Sequence, residues 1–506
     1  MEGAAHPSGA ERRLHAWSWL FVLLQQLKQF IIPLVALVIF GGRNDRGGLW
    51  AEFAPVIGIG VLVLLSIVQY FTYRYRVGRD GLTVREGWLH RTQREIPFSR
   101  IHNVVVHQSL LHRVFGVAEV RLESAGGQKP EAQMRVLGMA DALALEHLVR
   151  HQGEHATLAD ATHAHAHAAP DDTLLVMSTA DVVRLGLISN RGMIVVAAAF
   201  GAAWQVLPDN VIEDVIKQSG REIFGYADRL QLGWMATAAT AIGLVGLAML
   251  LVRLLSVALA LLQFHGFRLS EDARRLMVER GLLARLRTSV SRRRIQAWTL
   301  HEGVLHRFFH RRSLRSDTAV AEKANQGDQR ALKDLAPVAT PDACDALVRH
   351  LLPGAQWPRD DWKGVPPSSR WRLFLPTAVV VLPLGITAWW HVGAWSLLAL
   401  AWLAFAAYAS WRSAQRMGYA ADEHLVAVRI GWWSRYWRFA EVDKLQALRL
   451  TRSPLDRRCG TTTLWLDTAG ANSLAPPLRL RFLPEAEAQA LYQRLSAALA
   501  HRRLRW

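Results

Sequence analysis

One stretch of this chain is written three times. Arg100–Gly116 reads RIHNVVVHQSLLHRVFG, and Arg294–His310 repeats it without gaps as RIQAWTLHEGVLHRFFH. A more worn copy, KLQALRLTRSPLDRRCG, occupies Lys444–Gly460. Each copy opens on a cation and an aliphatic residue: Arg100 and Ile101, Arg294 and Ile295, Lys444 and Leu445. An alternating apolar run follows, then a Leu-x-Arg step at Leu111/Arg113, Leu305/Arg307 and Leu455/Arg457. Self-similarity at so long a period means one supersecondary unit copied along the chain. Alternation marks the unit as β-rich.

The sequence between the copies carries long apolar runs. The chain has 506 residues, 51% of them hydrophobic, and a net charge of +18. In a soluble protein that charge would point to nucleic acid. Beside membrane spans it is the ordinary mark of cytoplasmic flanks, so no nucleic-acid partner is expected. Cys344 and Cys459 lie in different repeats, which leaves neither a disulfide framework nor a zinc spacing.

Six transmembrane helices are expected, as three hairpins. The runs are Phe21–Leu24 continued by Leu27–Phe40, Phe53–Thr72, Met193–Leu207, Gly233–Val252, Phe374–Trp390 and Trp395–Trp411. A full crossing takes about 20 apolar residues. No small-x-small cleavage site follows the first run, so it reads as an uncleaved anchor.

The division predicted from these runs is a basic lead at 1–20, hairpin one at 21–74 and a first β domain at 75–152. A His/Ala-rich linker and amphipathic approach fill 153–190. Hairpin two takes 191–264, the second β domain 265–354 and a linker 355–370. Hairpin three takes 371–415, and the third β domain, with a basic tail, 416–506. An amphipathic helix is expected over Thr173–Ser189, and Thr340 with Pro341 marks a helix start. Cations such as Arg12, Arg74, Arg268, Arg370 and Arg416 flank the runs. They place all three β domains and both termini on the cytoplasmic side.

The segment YRYRVGRDGLTVREGWLHRTQREIPFSRIHNVVVHQSLLHRVFG, following two spans, resembles the bacterial PH-like (pleckstrin-homology-like) membrane proteins of the large YdbT type. The Gly87 turn, the Ile96-Pro97 step and the Arg100–Gly116 run carry the resemblance. It is strongest over Tyr75–Ser124, good over 265–318 and weaker over 416–482. The third copy lacks the Ile-Pro step and has Pro454 and Arg458 where the first has Leu110 and Val114. The resemblance implies a membrane α + β fold: six helices in three hairpins, each followed by a PH-like antiparallel β domain closed by a C-terminal helix. It further implies the bacterial inner membrane and a smaller PH-like membrane protein as partner, or self-association. A setting in envelope stress or antimicrobial resistance follows from the same resemblance.

Candidate sites are few. The dense cations Arg285, Arg287, Arg292, Arg293, Arg294, Arg311 and Arg312 could rest on anionic lipid headgroups, or be a solvated juxtamembrane face. His147, His151, His155, His163, His165 and His167 have metal-like chemistry. Three of them sit in low-complexity linker with no Cys or ordered carboxylate partner, which supports only a compositional reading and no metal site. Arg253 ends a span, where a long side chain can snorkel to the surface. No G-x-S-x-G, H-E-x-x-H or phosphate-cradling glycine loop occurs. No catalytic residue and no cofactor is expected. The reading is a non-enzymatic scaffold or adaptor presenting three PH-like domains to membrane lipids or a partner protein. The alternative is a transporter or lipid conduit through the six helices, which would need charged residues at mid-membrane.

Overall fold

The computed structural model describes residues 11–41, 48–78, 81–88, 90–124, 131–155, 172–206, 218, 234–272, 275–318, 333–468 and 476–501. Each repeat begins with an antiparallel meander. In the first it is β1 (Arg12–Arg13), β2 (Arg74–Val77), β3 (Gly81–Glu86) and β4 (Thr92–Pro97). A 3-10 turn, Phe98–Arg100, then redirects the chain into β5 (Ile101–Gln108). The signature cation closes that turn, and Ile101 is buried just beyond it. Ile295 and Leu445 are buried at the same corner of the other two copies. The cation–aliphatic pair is therefore the pivot at which the chain leaves one sheet for another.

After β5 come a short helix, α1 of the site described below at Leu110–Val114, then β6 (Val117–Ser124), β7 (Ala132–Gly138) and a closing helix, Met139–His155. The second repeat runs through β8 (Asp172–Val176), β9 (Arg268–Asp272), β10 (Arg275–Arg280) and β11 (Arg285–Ser291). It continues with β12 (Ile295–Glu302), β13 (Arg312–Thr318) and β14 (Asp334–Ala339). The third has β15 (Lys363–Gly364), β16 (Gly418–Ala421), β17 (Leu425–Ile430) and β18 (Arg435–Glu441). It ends with β19 (Leu445–Thr451), β20 (Thr461–Thr468) and β21 (Arg479–Pro484).

One glycine per repeat is required by this geometry. Gly87, Gly281 and Gly431 sit at the hairpin before β4, β11 and β18, with φ of 101°, 112° and 86°. A Cβ at any of them would lie 1.9 Å from a carbonyl oxygen across the turn. The region is open only to glycine.

The sheets do not respect the repeat boundaries. One runs β7-β6-β5-β11-β10-β9-β8 and the next β14-β13-β12-β18-β17-β16-β15. The second half of each repeat thus shares a sheet with the first half of the next. Two smaller sheets, β1-β2-β3-β4 and β19-β20-β21, stand at the ends. The cores follow suit. One cluster joins Trp298, Leu300 and Leu314 of the second repeat to Leu425, Ala427 and Phe439 of the third.

After the first repeat the helices are α2 (Thr179–Ile188), α3 (Arg191–Val206), α4 (Trp234–Phe264), α5 (Val304–Phe308) and α6 (Pro341–Leu351). They are followed by α7 (Ser369–Val392), α8 (Leu397–Arg416), α9 (Pro454–Arg458) and α10 (Glu485–Ala500). Helix α6 starts where Thr340 predicts: its Oγ accepts from the Ala343 amide, with proline in the first turn. Such a cap contributes about 1 kcal/mol. The buried face is Cys344, Leu347, Val348 and Leu351, and burial pushes the Cys344 thiol up to about 12. The amphipathic segment predicted over Thr173–Ser189 is part strand: β8 precedes α2, which is capped by Ser178.

The expectation of six spans is corrected. Among the described residues two helices are long and apolar enough to cross a membrane, Ala238–Phe264 and Ser369–His391. A third is reached only if α2 and α3, bent by 52°, count as one broken span. Helix α3 has 16 residues, or about 24 Å at 1.5 Å per residue, against about 30 Å of hydrocarbon. Helix α8 carries Trp402, Tyr408, Trp411 and Arg412 where aliphatic residues would be needed. In the first pair of helices, Ser18–Gly41 is interrupted by Gln25, Gln26 and Lys28. In its partner, the helix Gly48–Thr72, the apolar part Ile57–Thr72 is short. Apolar composition alone does not make a span: the apolar run must also be continuous over the hydrocarbon thickness.

Candidate functional site

The places where the repeats join hold the densest side-chain chemistry. At the first seam β5 pairs with β11 in antiparallel register, from Arg285 opposite Gln108 to Val290 opposite Asn103. Val105 and Leu286 make a small buried cluster there. Arg287 reaches Glu279 on its own sheet at 3.1 Å and Glu146 on the first repeat's closing helix at 3.5 Å. At the second seam β12 pairs with β18, from Glu302 opposite Arg435 to Trp298 opposite Phe439. Arg438 is buried in it, 2.6 Å from Asp317 and donating to Thr299 Oγ1 at 2.9 Å. Arg435 meets Glu302 at 3.2 Å.

The Leu-x-Arg step has its explanation here. Each step lies on the short helix after the central strand, α1 in the first repeat, α5 in the second and α9 in the third. Arg113 donates to the carbonyl of Leu282, in the β10–β11 turn, at 2.9 Å. Arg307 donates to the carbonyl of Trp433, in the β17–β18 turn, at 3.1 Å. Each arginine thus clasps the glycine-containing turn of the following repeat. Arg457, third in the series, is exposed. The leucines do not pack inward: Leu111 is 46% and Leu305 38% exposed.

Histidines cluster at the second seam. His301 stacks on Tyr436 at 4.5 Å between centroids and lies edge-on to His306 at 4.9 Å. Burial lowers both imidazoles to about 4, helped by their mutual repulsion at His301 and by Arg315 at each.

The seven cations singled out for lipid contact fall into two groups. Arg285 and Arg293 are exposed. Arg287 is held at the first seam. Arg292 meets Glu271 at 3.5 Å and donates to the carbonyls of His350 and Leu351. Arg294 is half-buried, and desolvation lowers it to about 10. Arg311 donates to Asp181 of α2 at 3.1 Å. Arg312 meets Asp345 at 3.3 Å and Glu302 at 3.6 Å, with its guanidinium over Trp437. Arg253 donates to the carbonyls of Leu187 and Ser189, both at 3.1 Å, so it ties α4 to the break between α2 and α3. His163, His165 and His167 lie outside the described residues.

Sequence reasoning missed two buried ion pairs. One is Arg438 with Asp317; the other joins Arg372, at the start of α7, to Asp456 and Thr461 of the third repeat. Their partners are far apart in sequence, and no local pattern announces them.

A family model described as a bacterial PH domain matches residues 21–153, 227–348 and 373–499. The transmembrane protein YdbT of Bacillus subtilis (strain 168) is 21% identical over 306 residues. That alignment covers 57% of this chain and 57% of YdbT, so the chain spans little more than half of that relative's length. No solved structure matches the chain.

Proposed function

This chain belongs to the bacterial PH domain family, and from that premise we propose that it is an inner-membrane scaffold presenting three PH-like domains for contact with a partner protein. It is a membrane-associated protein built of PH-like repeats, and it is not an enzyme. The observation that carries the scaffold reading is strand pairing between successive repeats, which joins neighbours in shared seven-stranded sheets. Tethering to helices that reach the bilayer raises the effective concentration of any neighbour bound to the same membrane. The domains and both termini lie on the cytoplasmic side in this reading. Exposed Arg285 and Arg293 are its contacts for anionic lipid, each contributing about 1 kcal/mol near the headgroups.

Affinity capture of the tagged full-length chain from its native membrane is the test. The expected result is a co-purifying membrane protein, or a second copy, in fixed stoichiometry. Recovery of the chain alone, as a monomer, overturns the reading. Thiol labelling of single cysteines placed in the β domains reports sidedness. Labelling from outside intact spheroplasts would reverse the orientation.

A further inference from the structure

Two seams use three repeats, and a seam needs two surfaces. The central strands β5 and β12 are covered along their open edges by β11 and β18. Their counterpart β19 stands at the end of its sheet, and among the described residues no strand pairs with the outer edge of its Arg449–Thr451 end. The difference shows at one position. Val105 and Thr299 are buried under the covering strand, while Arg449, which replaces them, is exposed. The clasping arginines Arg113 and Arg307 each hold the turn of a following repeat; Arg457 is exposed, and among the described residues no such turn lies against it.

We propose that β19 and Arg457 form a docking edge for the first sheet of a PH-like domain in another polypeptide, one with acidic residues facing Arg449 and Arg452. This rests on the scaffold reading and specifies the surface it uses. The incoming strand extends the β19-β20-β21 sheet by antiparallel pairing, and its preceding turn offers a carbonyl to Arg457. Added strands bind through main-chain hydrogen bonds, with side chains setting specificity.

The partner is not this chain's own open first sheet, which ends at β4. Both internal seams share one register: Leu286 faces His107 as Tyr436 faces His301. Carried to β4 and β19, that register sets Thr92 opposite Thr451, Arg94 opposite Arg449 and Arg91 opposite Arg452. Like charges directly opposite one another oppose pairing. Inside the chain the same positions carry compatible partners, Arg435 with Glu302 and Arg438 with Thr299. Arg452 also touches Glu485 of α10, so Arg449 is the cleaner determinant. Cations on an open edge keep copies from polymerising while leaving it open to an acidic strand.

Full-length chains in detergent test this, in a Cys459→Ser background; Cys344 is buried. One chain carries Thr451→Cys with its arginines intact. The probe chain carries Thr92→Cys with Arg91→Glu and Arg94→Glu, which makes its first sheet a stand-in for the acidic partner. The control probe carries Thr92→Cys alone. Disulfide yield between differently tagged chains is expected to be about tenfold higher with the acidic probe, the effect of about 1.4 kcal/mol. The mirror experiment puts Arg449→Glu and Arg452→Glu on the Thr451→Cys chain and uses the unmodified-charge probe. It should restore the same yield, and Arg457→Ala should reduce it. Equal yields with both probes overturn the charge rule. No crosslink in either experiment, with circular dichroism unchanged, overturns the edge; the scaffold reading then still stands or falls on capture from native membrane.

Discussion

Arg438 shows what one residue contributes at a seam. Its guanidinium is buried between two repeats with Asp317 and Thr299 as partners. Removing one member of such a pair leaves an uncompensated buried charge, at a cost of about 3–5 kcal/mol. Arg438→Ala is therefore expected to lower the denaturation midpoint strongly, and Arg438→Met with Asp317→Leu to recover most of the loss. Chemical denaturation in detergent reads both. His301 and His306 give the seam a pH dependence. Burial depresses their folded-state values from 6.5 to about 4, so between those values the unfolded chain binds more protons. Stability is full above about 6.5 and is lost as pH falls towards about 4. His301→Gln with His306→Gln should flatten that slope in thermal melts taken across the window. Neither effect was legible beforehand. The histidines sit in a repeated motif, but only the fold stacks His301 on Tyr436 and brings both near Arg315.

At the scale of elements, the repeated hairpin and the repeated short helix act as clasp and catch. Gly281→Ala would press a Cβ to 1.9 Å from the Ala284 carbonyl at a φ of 112°. A loss of about 2–3 kcal/mol is expected, measurable as a lower melting temperature. The clasps predict a contrast. Arg113→Ala and Arg307→Ala each remove a donor to a turn carbonyl in the next repeat, and should cost about 0.5–1.5 kcal/mol. Arg457→Ala, at an exposed arginine that clasps no described turn, should leave the protein within about 0.5 kcal/mol of wild type. Equal losses at all three would refute the clasp. The β-rich character of each repeat and the capped start of α6 at Thr340 were readable from alternation and capping chemistry, whereas β8 lies in a stretch expected to be helical. Both helices that are long and apolar enough to cross a membrane fall on expected runs, but the count of six was not sound. Span length depends on an unbroken apolar helix, and the polar interruptions in Ser18–Gly41 and the bend between α2 and α3 break it.

For the whole molecule, the repeat in sequence and the structural unit in space are out of phase. A fragment of residues 265–354 contains halves of two different sheets, β9–β11 and β12–β14, each with its partner strand removed. Such a fragment exposes two long unpaired edges, which template association. Light scattering should find it self-associated, whereas a stable monomer would mean the repeats fold independently. By itself the sequence determined that a β-rich unit is copied three times beside apolar helices, because alternation, glycine turns and buried pivots are local properties of the chain. Only the tertiary structure decided which strand lies beside which. Pairing between repeats is made by backbone groups that every residue carries, so the seam between β5 and β11, and the open edge of β19, leave no mark in the order of side chains until the fold brings them together.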